Sequence, residues 1–593
     1  MKFSKLAVFF EEIEKTSSRL EITQLLADLF KKLSPEEIEK TIYLLQGRVA
    51  PLYQATEFGV AEKTIVKSVV LALSLDKKFF ENKYKEIGDL GKTVESFKKE
   101  IRSLEEKDLS IIEVFSDLDK MAHGAGQGSQ ELKTNILAHL IRQVDPISSR
   151  YLVRIPVATM RLGFSDMTIL DGFSWMITGD KSLRSIIEKA YHVRPDLGFI
   201  GRVIKEKGIK GLDGVKPKIF TPIIMMRAER LSSGKEIIEQ IGRCAIESKY
   251  DGFRLQIHYQ NNQVKLYSRN LEDASFMYPD LVEAIKKEIK AKEIIFEGEA
   301  IGFDPKTGGF LPFQETVQRK RKYDIKAKAM EIPLKLFAFE LLYLNGKDYI
   351  NLPHKQRREA LETVIEKTKT IDTQTILLAE EIIVEDDKTI ELLFDEALSK
   401  GLEGIIAKKL DGVYKPGARG WNWIKFKRSY SAKIEDSIDC LVMGYDSGKG
   451  KRTSFGIGAF LVGIYDKKND KYLTMAKIGT GLTDEEWREI KKRCDKFEAE
   501  KKPALYEVDK LMNVDQWVKP FLVVEIKADE ITRSPVHTAG RKMKPSKSGS
   551  AVDVDIPGLA LRFPRLLKFR DDKRPEDVTT LDEVQKMLKA QVV

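Results

Sequence analysis

The chain has 593 residues, of which 42% are hydrophobic and 32% charged, with a formal net charge of +10. This length exceeds what one hydrophobic core supports, so we expect two to four domains. No run of 18 apolar residues occurs, and acidic residues follow the N-terminus too closely for a secretory signal. These features exclude a membrane span and a secreted product and favour a cytoplasmic protein.

The positive net charge favours a polyanionic partner, of which nucleic acid is the commonest. The three cysteines, Cys244, Cys440 and Cys494, are odd in number and far apart. They form neither a disulfide framework nor a four-ligand zinc site. A metal in this chain is therefore expected to have oxygen ligands, which suggests Mg²⁺ or Mn²⁺.

The first third, residues 1–216, has helical periodicity almost throughout. Ser34-Pro-Glu-Glu37 predicts a capping box that starts a helix. The glycine-rich stretch 123–129 lacks the preceding strand of a dinucleotide loop, but it and the arginine-containing stretch 150–163 are candidates for phosphate contacts. Ordinary interhelical loops are the favoured interpretation of both on pattern alone.

The segment from Leu6 to Phe10 resembles the core of a sliding-clamp-binding peptide, without its leading glutamine. The same residues also form the apolar face of the first helix. Apolar residues at helical spacing usually pack in a core, and this second interpretation is favoured.

In residues 217–428 the period shifts towards two. Lys249 precedes a strand-like alternation in which Phe253, Leu255, Ile257 and Tyr259 share one face, and a turn at residues 261–262 predicts a hairpin. A charge cluster around Lys249 would by itself be an ordinary solvated surface. Further predicted strands carry charged residues: 268–270, 294–301, 334–343, 401–408 and 421–428.

This set of residues suits nucleotidyl transfer. An amine nucleophile needs a lowered pKa, which nearby cations such as Lys425, Lys427 and a metal provide. Glu299 and Glu403 are candidate metal ligands. A purine needs an aromatic face and a hydrogen-bond acceptor, for which Phe339 and Glu247 are candidates, and Arg254 and Arg269 suit phosphate or ribose.

The last third, residues 429–593, begins after a predicted hinge at 428–433. Short strands at 438–445, 455–464 and 521–526 predict a small Greek-key barrel of the OB type. The loop 447–452 is a candidate for backbone phosphate contacts, or else a soluble turn.

Lys249-Tyr-Asp-Gly-Phe-Arg254 resembles the K-x-D-G-x-R signature of the covalent nucleotidyltransferases, and the later elements follow in that superfamily's order. Arg570-Asp-Asp-Lys573 resembles its R-x-D-K motif. Across all three regions the chain resembles the ATP-dependent DNA ligases of the archaeal and eukaryotic replicative type. Capping enzymes and most RNA ligases lack the helical domain, and NAD-dependent ligases carry a four-cysteine zinc module.

The resemblance implies a multi-domain α+β fold: an all-α DNA-binding domain (1–216), an α+β adenylation domain (217–428) and a C-terminal OB-fold β-barrel (429–593). It implies a monomer that seals nicks in duplex DNA during replication, repair and recombination. ATP is the implied substrate and Mg²⁺ the metal, with Mn²⁺ as an alternative. A sliding clamp is retained as a second partner.

The resemblance also implies three steps. Lys249 attacks the α-phosphate of ATP, AMP passes to the 5′-phosphate at the nick, and the 3′-hydroxyl displaces AMP. The implied roles are adenine recognition by Glu247 and Phe339, nick chemistry by Asp251, metal binding by Glu299 and Glu403, and ribose or phosphate contacts by Arg254, Arg269, Arg419, Lys425 and Lys427. Arg570 and Lys573 are implied to close over the triphosphate. Glu340 stands where many relatives have aspartate.

Two alternatives stay open at this point. One is an RNA ligase or guanylyltransferase of the same superfamily, which would act without enclosing duplex DNA. The other is a DNA-binding scaffold whose transferase site is inactive, although neither Lys249 nor the carboxylates are missing.

Overall fold

The structure is a computed structural model. It describes residues 1–101, 105–304, 309–311, 313–321, 324–365, 374–400, 402–427, 437–448, 450–545 and 552–591. The chain divides into two compact units, Met1–Lys425 and Phe426–Val593.

Helices occupy the N-terminal part of the first unit, which confirms the helical prediction. They are α1 (Phe3–Lys15), α2 (Arg19–Lys32), α3 (Pro35–Leu45), α4 (Glu62–Leu73), α5 (Lys77–Ile87), α6 (Leu90–Glu100), α7 (Ile111–His123), α8 (Ser129–Gln143), α9 (Pro146–Arg154), α10 (Asp166–Thr178), α11 (Arg184–Val193) and α12 (Leu197–Lys207), followed by a 3₁₀ turn at Ile209–Gly214.

Local sequence explains where these helices begin. The Glu37 amide donates to Ser34 Oγ at 3.2 Å and the Ser34 amide donates to Glu37 Oε2 at 2.9 Å, which completes the predicted capping box.

Leu6 and Phe10 are fully buried in the helical core. The packing interpretation of this clamp-like segment is therefore the one that the structure supports.

Of the two stretches singled out in the sequence, 123–129 is interhelical, whereas 150–163 starts inside α9 and becomes a loop only after Arg154. The glycine-rich loop joins α7 to α8, so a helix precedes it and the dinucleotide-loop geometry is absent from this described segment. Arg150 and Arg154 are buried and form ion pairs with carboxylates of the same unit. The phosphate-contact interpretation is therefore wrong for these two arginines, because their charges are already neutralised inside the protein.

The remainder of the first unit contains two sheets and their helices. Its elements are β1 (Arg227–Arg230), α13 (Gly234–Ile241), β2 (Cys244–Lys249), β3 (Phe253–Gln260), β4 (Gln263–Ser268), α14 (Pro279–Glu288), β5 (Glu293–Asp304), β6 (Gly309–Phe310), α15 (Phe313–Thr316), α16 (Ile325–Glu331), β7 (Leu334–Leu344), β8 (Lys347–Asp348), α17 (His354–Val364), β9 (Ile376–Leu378), β10 (Glu381–Val384), α18 (Asp387–Ser399), β11 (Gly404–Lys409) and β12 (Arg419–Lys427).

One sheet has the order β1-β12-β11-β2-β10, and the other has β4-β3-β5-β7-β8, with β6 beside β5 and β9 beside β7. The predicted hairpin is β3–β4. Asn261 and Asn262 have φ values of 49° and 64° at its turn, the left-handed conformation that a two-residue hairpin loop of type I′ requires. Leu255 and Ile257 point into the core as predicted.

The face of β3 opposite Leu255 and Ile257 is also buried, although it carries polar side chains. Gln256 and His258 are fully buried on that face. The Ile223 amide donates to Gln256 Oε1 at 2.7 Å and the Phe220 amide donates to His258 Nδ1 at 3.0 Å. The segment 218–226, called the connector here, therefore covers this face and satisfies its polar groups.

The second unit is rich in strands, as predicted. Its elements are β13 (Ile438–Asp446), β14 (Ala459–Asp466), β15 (Lys471–Ile478), α19 (Asp484–Asp495), β16 (Glu498–Ala499), β17 (Tyr506–Glu507), β18 (Gln516–Val518), β19 (Val523–Lys527), β20 (Glu530–Ser534), β21 (Lys542–Pro545), β22 (Val552–Ile556), β23 (Gly558–Arg562), β24 (Arg565–Phe569) and α20 (Leu581–Gln591).

The strand expected at 455–464 begins only at Ala459, because Gly450–Phe455 forms a 3₁₀ turn. The predicted hinge at 428–433 lies outside the described residues, as does position 449 of the loop 447–452. Among the described helices, none combines the length and the apolar character that crossing a bilayer requires.

Candidate active site

Lys249 is the last residue of β2 and lies directly opposite Gly404 of β11. The Glu403 amide donates to the Lys249 carbonyl at 3.0 Å, which fixes the strand end. The Lys249 ammonium forms an ion pair with the Glu403 carboxylate, and about a fifth of each side chain is exposed. The amine is thus reachable from solvent while its backbone is held rigidly.

The residues after Lys249 fit closely against β5 and β7. A Cβ atom at Gly252 would lie 2.2 Å from the Ala300 carbonyl oxygen, so the backbone can pass β5 here only with glycine. The Tyr250 ring stacks on Phe337 with ring centroids 4.2 Å apart. These contacts explain why a glycine and an aromatic residue follow the lysine.

Glu299 of β5 lies near Lys249 and Arg254, and also near two other carboxylates, Glu403 and Asp251. Burial, with smaller contributions from these two carboxylates, raises the pKa of Glu299 to about 7, although Lys249 and Arg254 act to lower it. The site therefore brings together both predicted metal ligands and the predicted nucleophile. Carboxylates in this proximity favour a cation between them.

Glu247 is buried two residues before the lysine. Lys408 of β11 donates to Glu247 Oε1 at 2.7 Å and to the Phe339 carbonyl at 2.7 Å. Loss of water raises the pKa of Glu247, and the charge of Lys408 opposes that effect. Lys408 ends the strand predicted at 401–408, but its sequence position alone indicated no role in the site.

Glu247, His354 and Glu381 place ligand atoms within 4.8 Å of one another. The ammonium of Lys408 and the guanidinium of Arg358 already lie 2.7 Å and 4.0 Å from Glu247. Because these cations supply the positive charge that the carboxylates require, we assign no metal to this cluster.

Arg254, on β3, is held by two hydrogen bonds, to Met226 and Glu297, which we call the arginine fork. Its Nη1 donates to the Met226 carbonyl at 2.8 Å and its Nη2 donates to Glu297 Oε2 at 2.5 Å. The guanidinium lies 5.3 Å from the centre of the Phe339 ring and 5.2 Å from that of Trp423. The sequence predicted Arg254 as a site residue, but it gave no role to Glu297 or Trp423.

Phe339 is displaced by a β-bulge. In the pairing of β5 with β7, Glu297 faces Glu340 and the adjacent Gly298 faces Ala338, so Phe339 is an extra residue. Its ring centre lies 5.3 Å from the Arg254 guanidinium and 5.1 Å from the Lys408 ammonium. Bulges often re-aim a side chain next to an active site.

The remaining predicted cations of the first unit lie on or next to strands other than β2. Arg269 is exposed just beyond β4, where Ser268 pairs with Leu255. Arg419 is exposed at the start of β12, and Lys425 lies near the end of that strand. In the sheet β11 lies between β12 and β2, and Lys249 pairs with Glu403. The effect of Lys425 on the pKa of the amine stays a prediction. Lys427 ends β12 and belongs to the second unit.

In the second unit, Arg570 and Lys573 converge on Asp439 of β13. Arg570 donates to Asp439 Oδ1 at 3.0 Å and Lys573 donates to Asp439 Oδ2 at 2.6 Å. Hydrogen bonding to Asp572 raises the pKa of Arg570 above its ordinary value. Arg570 also donates to Asp572 at 2.7 Å and to Glu525 at 3.4 Å, so the R-x-D-K residues belong to one cluster with several carboxylates.

Comparisons with known proteins cover all three regions of the chain. Family models match residues 2–174 (DNA ligase N terminus), 225–427 (ATP dependent DNA ligase domain) and 453–573 (ATP dependent DNA ligase C terminal region). A probable DNA ligase of Dictyoglomus turgidum is 47% identical over 592 residues, covering 100% of this chain and 98% of the relative. A DNA ligase of Hyperthermus butylicus is 38% identical over 611 residues, with the same coverage.

A solved structure described as Pmar-Lig_PreS3 has a similar fold. Its TM-score is 0.51 with 16% sequence identity, and the match covers 95% of this chain and 99% of the other.

Proposed function

This chain belongs to the ATP-dependent DNA ligases, and from that membership we propose that Lys249 is the nucleophile that accepts AMP. It is an enzyme that uses ATP to join DNA, so the alternatives of an RNA ligase and a guanylyltransferase are set aside. The contact of Lys249 with Glu403, beside Glu299, is the observation that carries the proposal.

In the proposed first step the Lys249 ammonium leaves its ion pair, loses a proton and attacks the α-phosphorus of ATP. A phosphorus–nitrogen bond forms and the bond to pyrophosphate breaks. AMP then passes to the 5′-phosphate at a nick, which frees the lysine. The 3′-hydroxyl finally attacks that phosphate and releases AMP.

We also propose that Glu299 and Glu403 hold Mg²⁺, with Mn²⁺ as an alternative. The donor set fits, because carboxylate oxygens suit these ions and Glu299 lies near the carboxylates of Glu403 and Asp251. Bound there, the ion would neutralise charge on the triphosphate. Glu403 also holds Lys249 in place before ATP enters.

The remaining residues receive proposed roles in nucleotide binding. Glu247 accepts from the adenine amino group and Phe339 stacks on the purine. Ribose or phosphate contacts are assigned to Arg254, Arg269, Arg419, Lys425 and Lys427, and triphosphate contacts in the first step to Arg570 and Lys573. The hydrogen bonds that hold Arg254 and the bulge that re-aims Phe339 support the assignments of these two residues best.

We propose a monomer that binds nicked duplex DNA, with domains at residues 1–216, 217–428 and 429–593. The 3₁₀ turn that ends at Gly214 and the first strand at Arg227 support the first boundary, whereas the second lies outside the described residues. We assign no clamp contact to the segment from Leu6 to Phe10, because Leu6 and Phe10 are core residues.

Incubation with α-labelled ATP and Mg²⁺ tests the proposal on protein freed of bound AMP. Wild type should acquire acid-labile, base-stable label and then pass it to nicked duplex DNA, whereas Lys249→Ala should acquire none. Lys265→Ala is the matched control, because Lys265 is also a strand lysine paired with a carboxylate, Asp273 at 2.5 Å. Label on Lys249→Ala would contradict the assignment, and an unlabelled wild type would indicate an inactive scaffold.

A further inference from the structure

Tyr414 lies in the loop between β11 and β12 and is only 1% exposed. Its hydroxyl oxygen accepts a hydrogen bond from the Met226 amide at 2.8 Å. The same hydroxyl donates to the Glu297 carboxylate, whose two oxygens each lie 3.1 Å away. One buried phenol thus joins the connector backbone to a carboxylate of β5.

The groups that Tyr414 holds are the groups that hold Arg254. Met226 provides the carbonyl and Glu297 the carboxylate of the arginine fork, and Arg254 Nη2 itself lies 3.4 Å from the Tyr414 oxygen. The hydroxyl therefore closes a ring of polar contacts in which every member touches two others. Within such a ring, moving one group moves the rest.

The ring system behind Arg254 also depends on this tyrosine. Tyr414 meets Trp423 edge to face with centroids 5.8 Å apart, and Trp423 meets Phe339 edge to face at 6.0 Å. Tyr414 therefore contacts Arg254 directly and Phe339 through Trp423, and both of these residues are proposed to bind the nucleotide.

The loop that carries Tyr414 is itself fixed to the helical region. The Gly417 amide donates to the Ile224 carbonyl at 3.0 Å and the Ile224 amide donates to the His192 carbonyl at 2.8 Å. Gly417 has a φ of 69°, and a Cβ atom there would lie 2.7 Å from the His192 ring. Helix α11, the connector and the Tyr414 loop are therefore packed as one body.

We propose that Tyr414 is a positioning residue for the first step, and that its hydroxyl holds Met226 and Glu297 so that Arg254 faces the incoming ATP. The proposal rests on the nucleotide role proposed above for Arg254. Tyr414 touches no reacting atom. Its place within the known reaction is to orient a binding residue.

The chemistry of the hydroxyl agrees with positioning, not proton transfer. Burial and the neighbouring Glu297 carboxylate raise the pKa of Tyr414 well above its ordinary value, so the group stays protonated and remains a donor. Phenylalanine would keep the packing on Trp423 but leave the buried Met226 amide without this acceptor and remove one of the donors to Glu297.

The test compares Tyr414→Phe with Tyr267→Phe in single-turnover self-adenylylation across a range of ATP concentrations. Tyr267 is a matched control: it is also buried, and its hydroxyl donates at 2.8 Å to the Phe220 carbonyl of the same connector. Tyr414→Phe should lose about tenfold in the ratio of maximal rate to half-saturating ATP, the loss expected for a hydrogen bond to a charged group. Tyr267→Phe should stay within about twofold of wild type, because its hydrogen bond does not involve the Arg254 fork.

A double-variant comparison separates positioning from general damage. If Tyr414 acts through Arg254, adding Tyr414→Phe to Arg254→Lys should slow the reaction no further than Arg254→Lys alone. Additive losses, or a wild-type rate for Tyr414→Phe, would overturn the inference while leaving the nucleophile assignment intact. Label on Lys249→Ala in the same assay would instead overturn the proposed function.

Discussion

Two arginines, Arg154 in the helical region and Arg254 in the central region, show how similar ion pairs serve different ends. Arg154 is 2% exposed and donates to Glu14 and Asp89, carboxylates that come from two other parts of the helical region. The side chain of Arg254 is 19% exposed and has one carboxylate, one backbone carbonyl and two aromatic rings around it.

The difference lies in what each arrangement leaves for a ligand. Around Arg154 the opposite charges are enclosed together, so the network contributes to the stability of the helical region and offers little to solvent. Around Arg254 the contacts hold the guanidinium from behind while part of it remains accessible, near a nucleophile and a pair of carboxylates. The buried ion pairs of Arg154 stabilise the helical region, whereas the partly exposed ion pair of Arg254 leaves its guanidinium accessible to a ligand.

The largest effect is expected from breaking the enclosed network. Arg154→Ala would remove a buried guanidinium that Glu14 and Asp89 share, which should lower the free energy of unfolding by about 3–5 kcal/mol. Denaturant unfolding measures this. Arg202→Ala serves as control, since Arg202 is half exposed in its pairs with Glu39 and Glu206 and should lose less than about 1 kcal/mol. Equal losses would contradict the contrast drawn here.

Substituting the site carboxylates should lower the reaction rate strongly and the stability little, the reverse of the effect expected for Arg154. Glu299→Gln and Glu403→Gln should slow self-adenylylation by about 10²-fold or more, because each removes charge that faces the nucleophile and the proposed metal. Mg²⁺ titrations should show a weakened dependence, with little change in stability. Glu385→Gln is the control, because Glu385 is mostly exposed and pairs only with the surface residue Arg243. A wild-type rate in both site variants would exclude the metal assignment.

A smaller, pH-dependent effect on stability is expected from His258 of β3, which the connector covers. Burial lowers the pKa of His258 to about 3, against 6.5 for the free side chain. Because the folded pKa is lowered, the unfolded chain binds the proton more tightly, so stability is present above pH 6.5 and lost as pH falls towards 3. Between pH 7 and pH 5 the loss from this group should be about 2 kcal/mol.

His258→Gln should flatten that part of the stability profile, whereas His139→Gln should not, since His139 is exposed on α8. Denaturant unfolding at several pH values provides the measurement. An unchanged slope in His258→Gln would show that this face of β3 is hydrated.

Much of the site could be predicted because its residues belong to short local patterns. The hairpin of β3 and β4 and the position of Glu299 on β5 follow from alternation and turn residues, whereas the strand β2 that ends at Lys249 was not predicted. The helical first region followed from periodicity and capping residues such as Ser34.

The rest depended on contacts between distant segments. Nothing local marks Phe339 as a bulged residue, because the bulge is a property of its pairing with β5. Tyr414 and Lys408 meet the site through Met226, Glu297 and Glu247, which are far away in the sequence. Arg150 and Arg154 looked available to phosphate because charge patterns do not reveal which carboxylates approach in the folded chain.

The most direct test of the central claim is to locate the AMP on the protein. Wild type would be incubated with ATP and Mg²⁺, digested under conditions that preserve phosphoramidates, and mapped by mass spectrometry. The account predicts one AMP per chain on the peptide that contains Lys249. AMP found on another lysine, such as Lys408 or Lys425, would contradict it.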